Sequence, residues 1–437
     1  MTFPALTAAL NRRLLPAATA PLAVGFSGGG DSLALLILTL DWARAHGRAV
    51  VALTVDHQLN PASAAWTAEA VAKASDLGAE ALALAWTGDK PSAGLPAAAR
   101  VARHALLADA ARAAGARVLL LGHTADDLAE AAAMRAQGST VSNPREWSPS
   151  PAWPEGRGVL VLRPLLEVGR AELRAWLRTR GETWLDDPAN EDLNYARARA
   201  RRNLQGLKAL PSRTSAQRAD PGPPAAPRSG AVPDLRRASS GTTELNARGG
   251  YLVLPRHAPA AHVAAACLCA AGTAQPPRGE RLQRLVARIR AGESFTATLA
   301  GARIEAVGEA VSFFREPGEA RRSGSPPTNP SDRLPHGGRV LSVGQPVVWD
   351  GRYEITAAAP GLVVRPLQGL AARLPAAQRQ ALKAFPAAAR PALPVIVDAD
   401  GRPTCPILAE PNATRARCLV MDRFEAATGR VDQEPAT

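Results

Sequence analysis

Apolar positions in roughly the first two hundred residues gather into short runs. "LAVGF" (22–26), "AVVALTV" (49–55), "EALALAW" (80–86) and "ARVLLLG" (116–122) are separated by alanine- and leucine-rich stretches with helical spacing, and "VLVLRPLL" (159–166) continues the series. Compact apolar runs alternating with helices predict strands buried on both faces of a parallel sheet. The expected fold is therefore α/β, a parallel doubly wound sheet. A helix is predicted over 171–180, then an acidic loop, "DDPANED", and a basic helix, "YARARARRNL". In such sheets ligands bind beyond the carboxyl ends of the strands, and the polar motifs of this chain fall at those ends.

The pattern changes after residue 210. Residues 211–250 are rich in Pro, Ser, Arg and Gly with few large apolar side chains, the composition of a linker without a packed core. A smaller helical and mixed region is expected over 251–316, a second polar linker over 317–338, and a small C-terminal α+β domain over 339–437. Asp350-Gly351 and Asp400-Gly401 mark turns within that last part.

A chain of 437 residues exceeds one ordinary core and suits two or three domains. No run reaches the roughly 18 apolar residues of a spanning helix, and the N-terminus lacks a long hydrophobic segment with a cleavage site. A cytoplasmic protein without membrane contact is expected. Cysteine occurs at Cys267, Cys269, Cys405 and Cys418 alone, so neither a disulfide framework nor a structural zinc site is expected. The net charge of +13 suits a polyanionic partner. An arginine- and alanine-rich composition, with lysine only at 73, 90, 208 and 383, accounts for part of that charge without any partner. Aromatics make up 4% of the chain, which leaves few platforms for base stacking.

The sharpest motif is "SGGGDS", Ser27 to Ser32. Contiguous Gly28, Gly29 and Gly30 after a strand leave amides bare at the start of a helix, where the dipole also favours an anion. The Ser27 and Ser32 hydroxyls can add hydrogen bonds, and Asp31 reads as a Mg²⁺ ligand or as a fixer of the loop. The motif is neither a Walker loop nor the spaced dinucleotide fingerprint, and the plainer alternative is a tight turn. It resembles the signature of the PP-loop ATP pyrophosphatases, which cleave ATP between the α and β phosphates; that resemblance implies ATP binding.

"VDHQLNPAS" (55–63), "GLPAAARVARHALL" (94–107), "GHTADDLAEAAAMRAQGS" (122–139), "RPLL", "DDPANED" and the arginine helix together look like the tRNA(Ile)-lysidine synthetases over about the first 200 residues. That resemblance implies a PP-loop catalytic domain over 1–210, a tRNA-binding middle region, and a two-step reaction. ATP adenylates the wobble cytidine of a CAU anticodon, and free L-lysine then displaces AMP. The implied cofactors are ATP and Mg²⁺. The implied partners are tRNA(Ile) and L-lysine, with no DNA and no membrane, and a homodimer is left open.

His123, Asp127, Glu130, Asp31 and Arg100 are the expected catalytic residues, with Asp56 and His57 joining the loop at the nucleotide. Asp127 and Glu130 share a helix face and suit an ammonium substrate. Asp31 and Asp126 are the expected metal ligands. An acid at Asp127 would equally serve a capping box begun by Thr124. Arg100 and its neighbour Arg103 can neutralise charge on the α-phosphate, or be solvated arginines. Arg197, Arg199, Arg201 and Arg202 form the expected tRNA-binding stripe, for which a solvated helix face is the plainer reading. Asn60, Leu128, Ala131 and Ala198 depart from the family pattern. The nearest rival, a tRNA thiolase, needs reactive cysteines that the catalytic half lacks. A synthetase making GMP, NAD or asparagine would lack "DDPANED" and the arginine block, and a catalytically silent ATP- or RNA-binding relative remains the alternative outside enzymology.

Overall fold

The structure is a computed structural model. It describes residues 3–88, 90–139, 141, 143–185, 199–202, 248–322, 333–334, 338–408 and 414–435. The chain forms two compact units, Met1–Pro233 with Val431–Thr437, and Asp234–Arg430. Most of the linker expected over 211–250 and the acidic loop lie outside the described residues.

The first unit runs α1 (Pro4–Arg13), β1 (Leu22–Gly25), α2 (Gly30–Ala45), β2 (Val50–Asp56), α3 (Ser63–Asp76), β3 (Glu80–Ala85), α4 (Leu95–Ala113), β4 (Val118–Leu121), α5 (Ala125–Ala136), β5 (Trp147–Pro149), β6 (Leu160–Leu162) and α6 (Arg170–Thr179). The sheet order is β3-β2-β1-β4-β6-β5. All pairings are parallel except β5 against β6. This is the doubly wound α/β sheet expected from the apolar runs.

Successive side chains along each central strand are buried on alternating faces, as a sheet covered on both sides requires. Leu22 and Val24 of β1 join Val50, Val118 and Leu120 on the face covered by α1, α2 and α6. Ala23 joins Val51, Leu53, Leu119 and Leu121 on the face covered by Leu107 and Ala111 of α4. The chain runs outward from β1 through β2 to β3, then crosses back to β4 on the other side of β1, so the direction of winding reverses beside β1. That reversal opens the crevice in which such sheets place ligands. Register makes it sharp: Gly25 lies opposite both Leu53 and Leu121, so the loops after β1 and β4 leave the sheet at one level.

At the amino edge of the sheet, the end of the chain returns. Arg48 and Glu434 form an ion pair whose side chains are both fully buried, with Nη1 2.8 Å and Nη2 2.7 Å from the two carboxylate oxygens. The Glu434 amide donates to the Arg13 carbonyl at 2.7 Å, the Leu15 amide to Glu434 Oε2 at 3.2 Å, and Trp147 Nε1 to the Val431 carbonyl at 2.8 Å. Residues grouped in sequence with the C-terminal domain thus pack in the first unit.

The second unit contains a four-stranded antiparallel sheet made by 252–255, 310–315, 302–307 and 295–299, with helices Ala260–Ala271 and Gly279–Arg290, and two further small sheets. Its interior holds Asp350, in the left-handed region at φ 52°. The Asp350 carboxylate is shared by Arg315 at 2.9 Å and Arg352 at 2.8 Å. Both Asp-Gly turns expected from sequence close antiparallel pairings, 346–349 with 353–357 and 394–397 with 403–404.

Truncating one partner of a buried ion pair strands the other charge, at a cost of about 3–5 kcal/mol. Glu434→Ala should therefore lower the unfolding free energy of the first unit by that amount, read as a lower urea midpoint with the slope unchanged. A loss below about 1 kcal/mol, the range of exposed pairs, would show that the terminal segment is not anchored.

Candidate functional site

The loop after β1 is a closed structure made from its own polar groups. Ser32 Oγ donates to the Gly29 carbonyl at 2.9 Å, accepts the Ser27 amide at 3.2 Å, and lies 3.2 Å from Ser27 Oγ. Gly29 caps α2 without any side-chain hydrogen bond to the first turn. The amides at that end are thus left to an anion. Ser32, expected to contact phosphate, holds the loop shape, whereas Ser27 is exposed.

Gly28 is required twice over. Its φ of +80° is left-handed, and a Cβ there would lie 2.6 Å from the Leu185 side chain. Leu185 is held in place by its amide, which donates to the Gly28 carbonyl at 3.0 Å. The neighbouring Trp184 ring lies 3.4 Å from where a Gly30 Cβ would sit, with the guanidiniums of Arg174 and Arg178 each 5.6 Å from its centre. Lys73 and Glu182, 2.6 Å apart, anchor the same segment. A Cβ at Gly122 would meet the Asp31 carbonyl at 3.1 Å, so bare backbone after β4 lets the first turn of α2 lie against it.

Arg170, the first residue of α6, is the centre of charge and was not singled out from sequence. Its Nε donates to Asp31 Oδ2 at 2.8 Å, its Nη1 lies 3.4 Å from Glu130 Oε1, and its Nη2 lies 3.8 Å from Asp127 Oδ1. Arg201 Nε donates to the same Glu130 oxygen at 2.8 Å. Burial alone would lower the Arg170 pKa, but the hydrogen bond to Asp31 and the charges of Asp31, Asp127 and Glu130 outweigh it and raise it. The Asp31 pKa is also raised, first by burial and then by the Asp127 charge, against the lowering effect of Arg170. Asp31 Oδ1 is buried without a hydrogen-bond partner.

The structure thus brings Asp31, Asp127 and Glu130 together beside the glycine loop, as expected. It gives other expected residues different work. Asp126 Oδ2 accepts the Arg170 amide at 2.7 Å, capping the start of α6. Asp127 Oδ2 accepts the Thr124 amide at 2.8 Å, so the capping box anticipated at Thr124 forms and leaves the other oxygen toward Arg170. Arg201 pairs with Glu130, while Arg199 and Arg202 are exposed. Arg197 lies outside the described residues. Among those residues no group of three or more His, Cys, Asp or Glu is arranged to hold a metal, although Mg²⁺ commonly takes only one or two carboxylates plus phosphate oxygens.

Toward β2, Asp56 Oδ1 accepts the Gln58 amide at 2.7 Å, forming a turn, and the His57 ring meets Trp86 edge-on at 6.1 Å. Burial, then the Arg103 charge, lowers the His57 pKa. His123 leaves β4 at the crevice between the two loops, and Arg100 stands exposed on the first half of α4. Arg170 and Trp184 could have been found from sequence only as an arginine at a helix start and a tryptophan next to the acidic loop.

Asp31 binds its proton more tightly folded than unfolded. Its ionisation therefore subtracts stability as pH rises through its native titration range, and the loss is absent below its ordinary 3.8. Asp31→Asn should be at least as stable as the parent at neutral pH, with the relative gain shrinking as pH falls toward 3.8. Unfolding midpoints at both pH values check this; a variant weaker than the parent only at neutral pH would reverse the sign.

Comparison with known proteins gives a consistent picture. Residues 5–207 match the family model described as PP-loop domain. The chain is similar to the tRNA(Ile)-lysidine synthase of Caulobacter vibrioides, 55% identical over 436 residues, which is 98% of each chain. It is 40% identical to that of Hyphomonas neptunium over 70% of this chain and 83% of the relative. It is 37% identical to that of Methylobacterium nodulans over 72% and 95%.

Proposed function

The chain belongs to the tRNA(Ile)-lysidine synthase family, and from that membership we propose how its residues divide the reaction. It is an ATP-dependent ligase acting on tRNA. ATP adenylates the carbonyl oxygen of the wobble cytidine of tRNA(Ile) bearing a CAU anticodon; the amine of free L-lysine then attacks the ring carbon that carries that oxygen, forming the new C–N bond of lysidine as the C–O bond breaks and AMP leaves. Pyrophosphate leaves in the first step.

The bare amides of Gly28, Gly29 and Gly30 and the start of α2 hold the outer two phosphates, which leaves the α-phosphate open to the cytidine oxygen. Asp56 and His57 border the nucleoside end. Arg100 offsets charge that builds on the phosphates as the P–O bond breaks. Asp31 fits a Mg²⁺ ion, because its Oδ1 is buried without a hydrogen bond; bound there, Mg²⁺ would neutralise phosphate charge. His123, at the crevice, is suited to hold a proton near the reacting cytidine. Asp127 and Glu130 receive the lysine ammonium. Arg170 and Arg201 already occupy those carboxylates, so the ammonium enters by sharing or replacing a guanidinium. Arg199 and Arg202 face outward to RNA phosphates. We take the cytoplasm as the working compartment.

The observation that carries this assignment is the convergence of Asp31, Asp127 and Glu130 on one guanidinium beside the glycine loop. Three acids so placed accept a cation, which is what lysine brings and a thiolase substrate does not.

Labelled lysine supplied with ATP, Mg²⁺ and tRNA transcripts differing only at the wobble base should enter the cytidine transcript alone. Equal labelling of all transcripts, or of none, would refute the assignment. Glu130→Gln should raise the lysine KM by about 10-fold or more while ATP affinity stays unchanged, since one charge-assisted hydrogen bond is lost. An unaltered lysine KM would remove Glu130 from the amine site.

A further inference from the structure

The loop that follows β2 carries strain that the fold itself does not ask for. Among the described residues three that are not glycine hold a left-handed φ: Gln58 at 53°, Ala300 at 52° and Asp350 at 52°. Ala300 and Asp350 each precede a glycine in a tight turn between paired antiparallel strands, where that conformation is the usual way to reverse the chain. Gln58 stands in no hairpin, because β2 is followed by α3. The stretch that joins them, His57 to Ala62, contains no glycine. Glutamine also lacks the short side chain with which asparagine or aspartate satisfy such a backbone locally. A residue persists in this region only where its surroundings over-determine it, and such residues gather at ligand sites.

Here the surroundings do so. Asp56 Oδ1 accepts the Gln58 amide at 2.7 Å, Asn60 Oδ1 accepts the Ala62 amide at 2.9 Å, and the Asn60 carbonyl accepts the Ser63 amide at 2.9 Å. These bonds make the loop a frame on which the Gln58 side chain stands exposed. Gln58 borders a cleft of about 400 Å³, within the range of small-molecule sites, with Asp56, Leu59, Asn60 and Ser63 also in its wall. Leu59 is 46% exposed, an apolar surface against which a flat ring can lie. In the adjoining residue, His57 Nδ1 is buried without a hydrogen-bond partner among the described residues, a polar atom left for a ligand. Because β2 pairs in parallel with β1, the cleft opens at the same edge of the sheet as the glycine loop.

We propose that Gln58 selects the base of the nucleotide, its carboxamide reading the edge of adenine that carries N6 and N7. On that edge adenine offers a donor beside an acceptor, whereas guanine offers two acceptors. A carboxamide, with one oxygen and one amino group, can turn to match the first and never the second. The left-handed backbone aims that group into the cleft; glycine would hold the same turn with less strain and read nothing. Only the presence of an adenine nucleotide rests on the function proposed above.

The test measures binding to the full chain without tRNA or lysine. ATP, GTP and an ATP analogue with carbon in place of N7 are each titrated with Mg²⁺ into the parent, Gln58→Ala and Gln58→Gly. The parent should bind ATP about 10-fold or more tighter than either of the other two. Both variants should bind all three alike, with the loss falling on ATP, as the removal of one interacting pair from either side requires. Gln58→Gly relieves the left-handed backbone, so its unfolding midpoint should not fall below that of the parent, and a fold defect does not stand in for the lost preference. A glycine variant that keeps the full preference for ATP, or a parent that binds ATP and the carbon analogue equally, overturns the proposal and leaves ATP binding itself in place. A parent that binds none of the three overturns the function proposed above, and this inference with it.

Discussion

Three carboxyl groups brought to one edge of a sheet repel one another, and the first unit resolves this by placing the α6 arginine among them. Asp31 comes from α2, Asp127 and Glu130 from α5, and Arg170 meets all three. Without it, burial would push the Asp31 carboxyl still further toward its protonated form. With it, the acids are poised but partly neutralised. A cation arriving there would enter an existing charge balance. The same arginine donates its amide to Asp126, so the start of α6 and the start of α5 are locked through one residue.

That balance needs backbones closer together than side chains allow. Bare chain at Gly122 lets α2 begin against the end of β4, and bare chain at Gly28 admits Leu185 over the loop. The segment carrying Trp184 and Leu185 thus forms part of the wall of the nucleotide loop. Side chains at these glycines would shift Asp31 away from Arg170 as surely as a change in either charged residue. Steric and electrostatic demands at the crevice are one constraint seen from two sides.

The sheet was legible because its strands are apolar on both faces, a pattern few alternatives share; β1, β3, β4 and β6 fall within the expected runs, and β2 passes the end of its run by one residue, Asp56. The edge strand at Trp147–Pro149 was not, because its serine and proline content hides any period. Within the site, residues attached to a local motif were readable: the glycine loop, and the acids that open α5. Arg170 was hidden because its partners are 139, 43 and 40 residues away in sequence. Arg201 shows the converse. A charge run in sequence indicates a basic face, yet the fold turned one member inward to Glu130. Capping explains Asp126 in the same way, since a helix start supplied by a distant segment leaves no mark beside the acid.

The pairing of Arg48 with Glu434 has a bearing on how the protein is made. The two residues are 386 positions apart, and a ribosome adding about 5–20 residues per second would take roughly 20–80 s to travel between them. The nucleotide-binding half therefore emerges long before its last internal charge is matched. Until then it must either hold Arg48 in water or tolerate an incomplete lower edge, so the first unit gains this ion pair only once Glu434 has been translated.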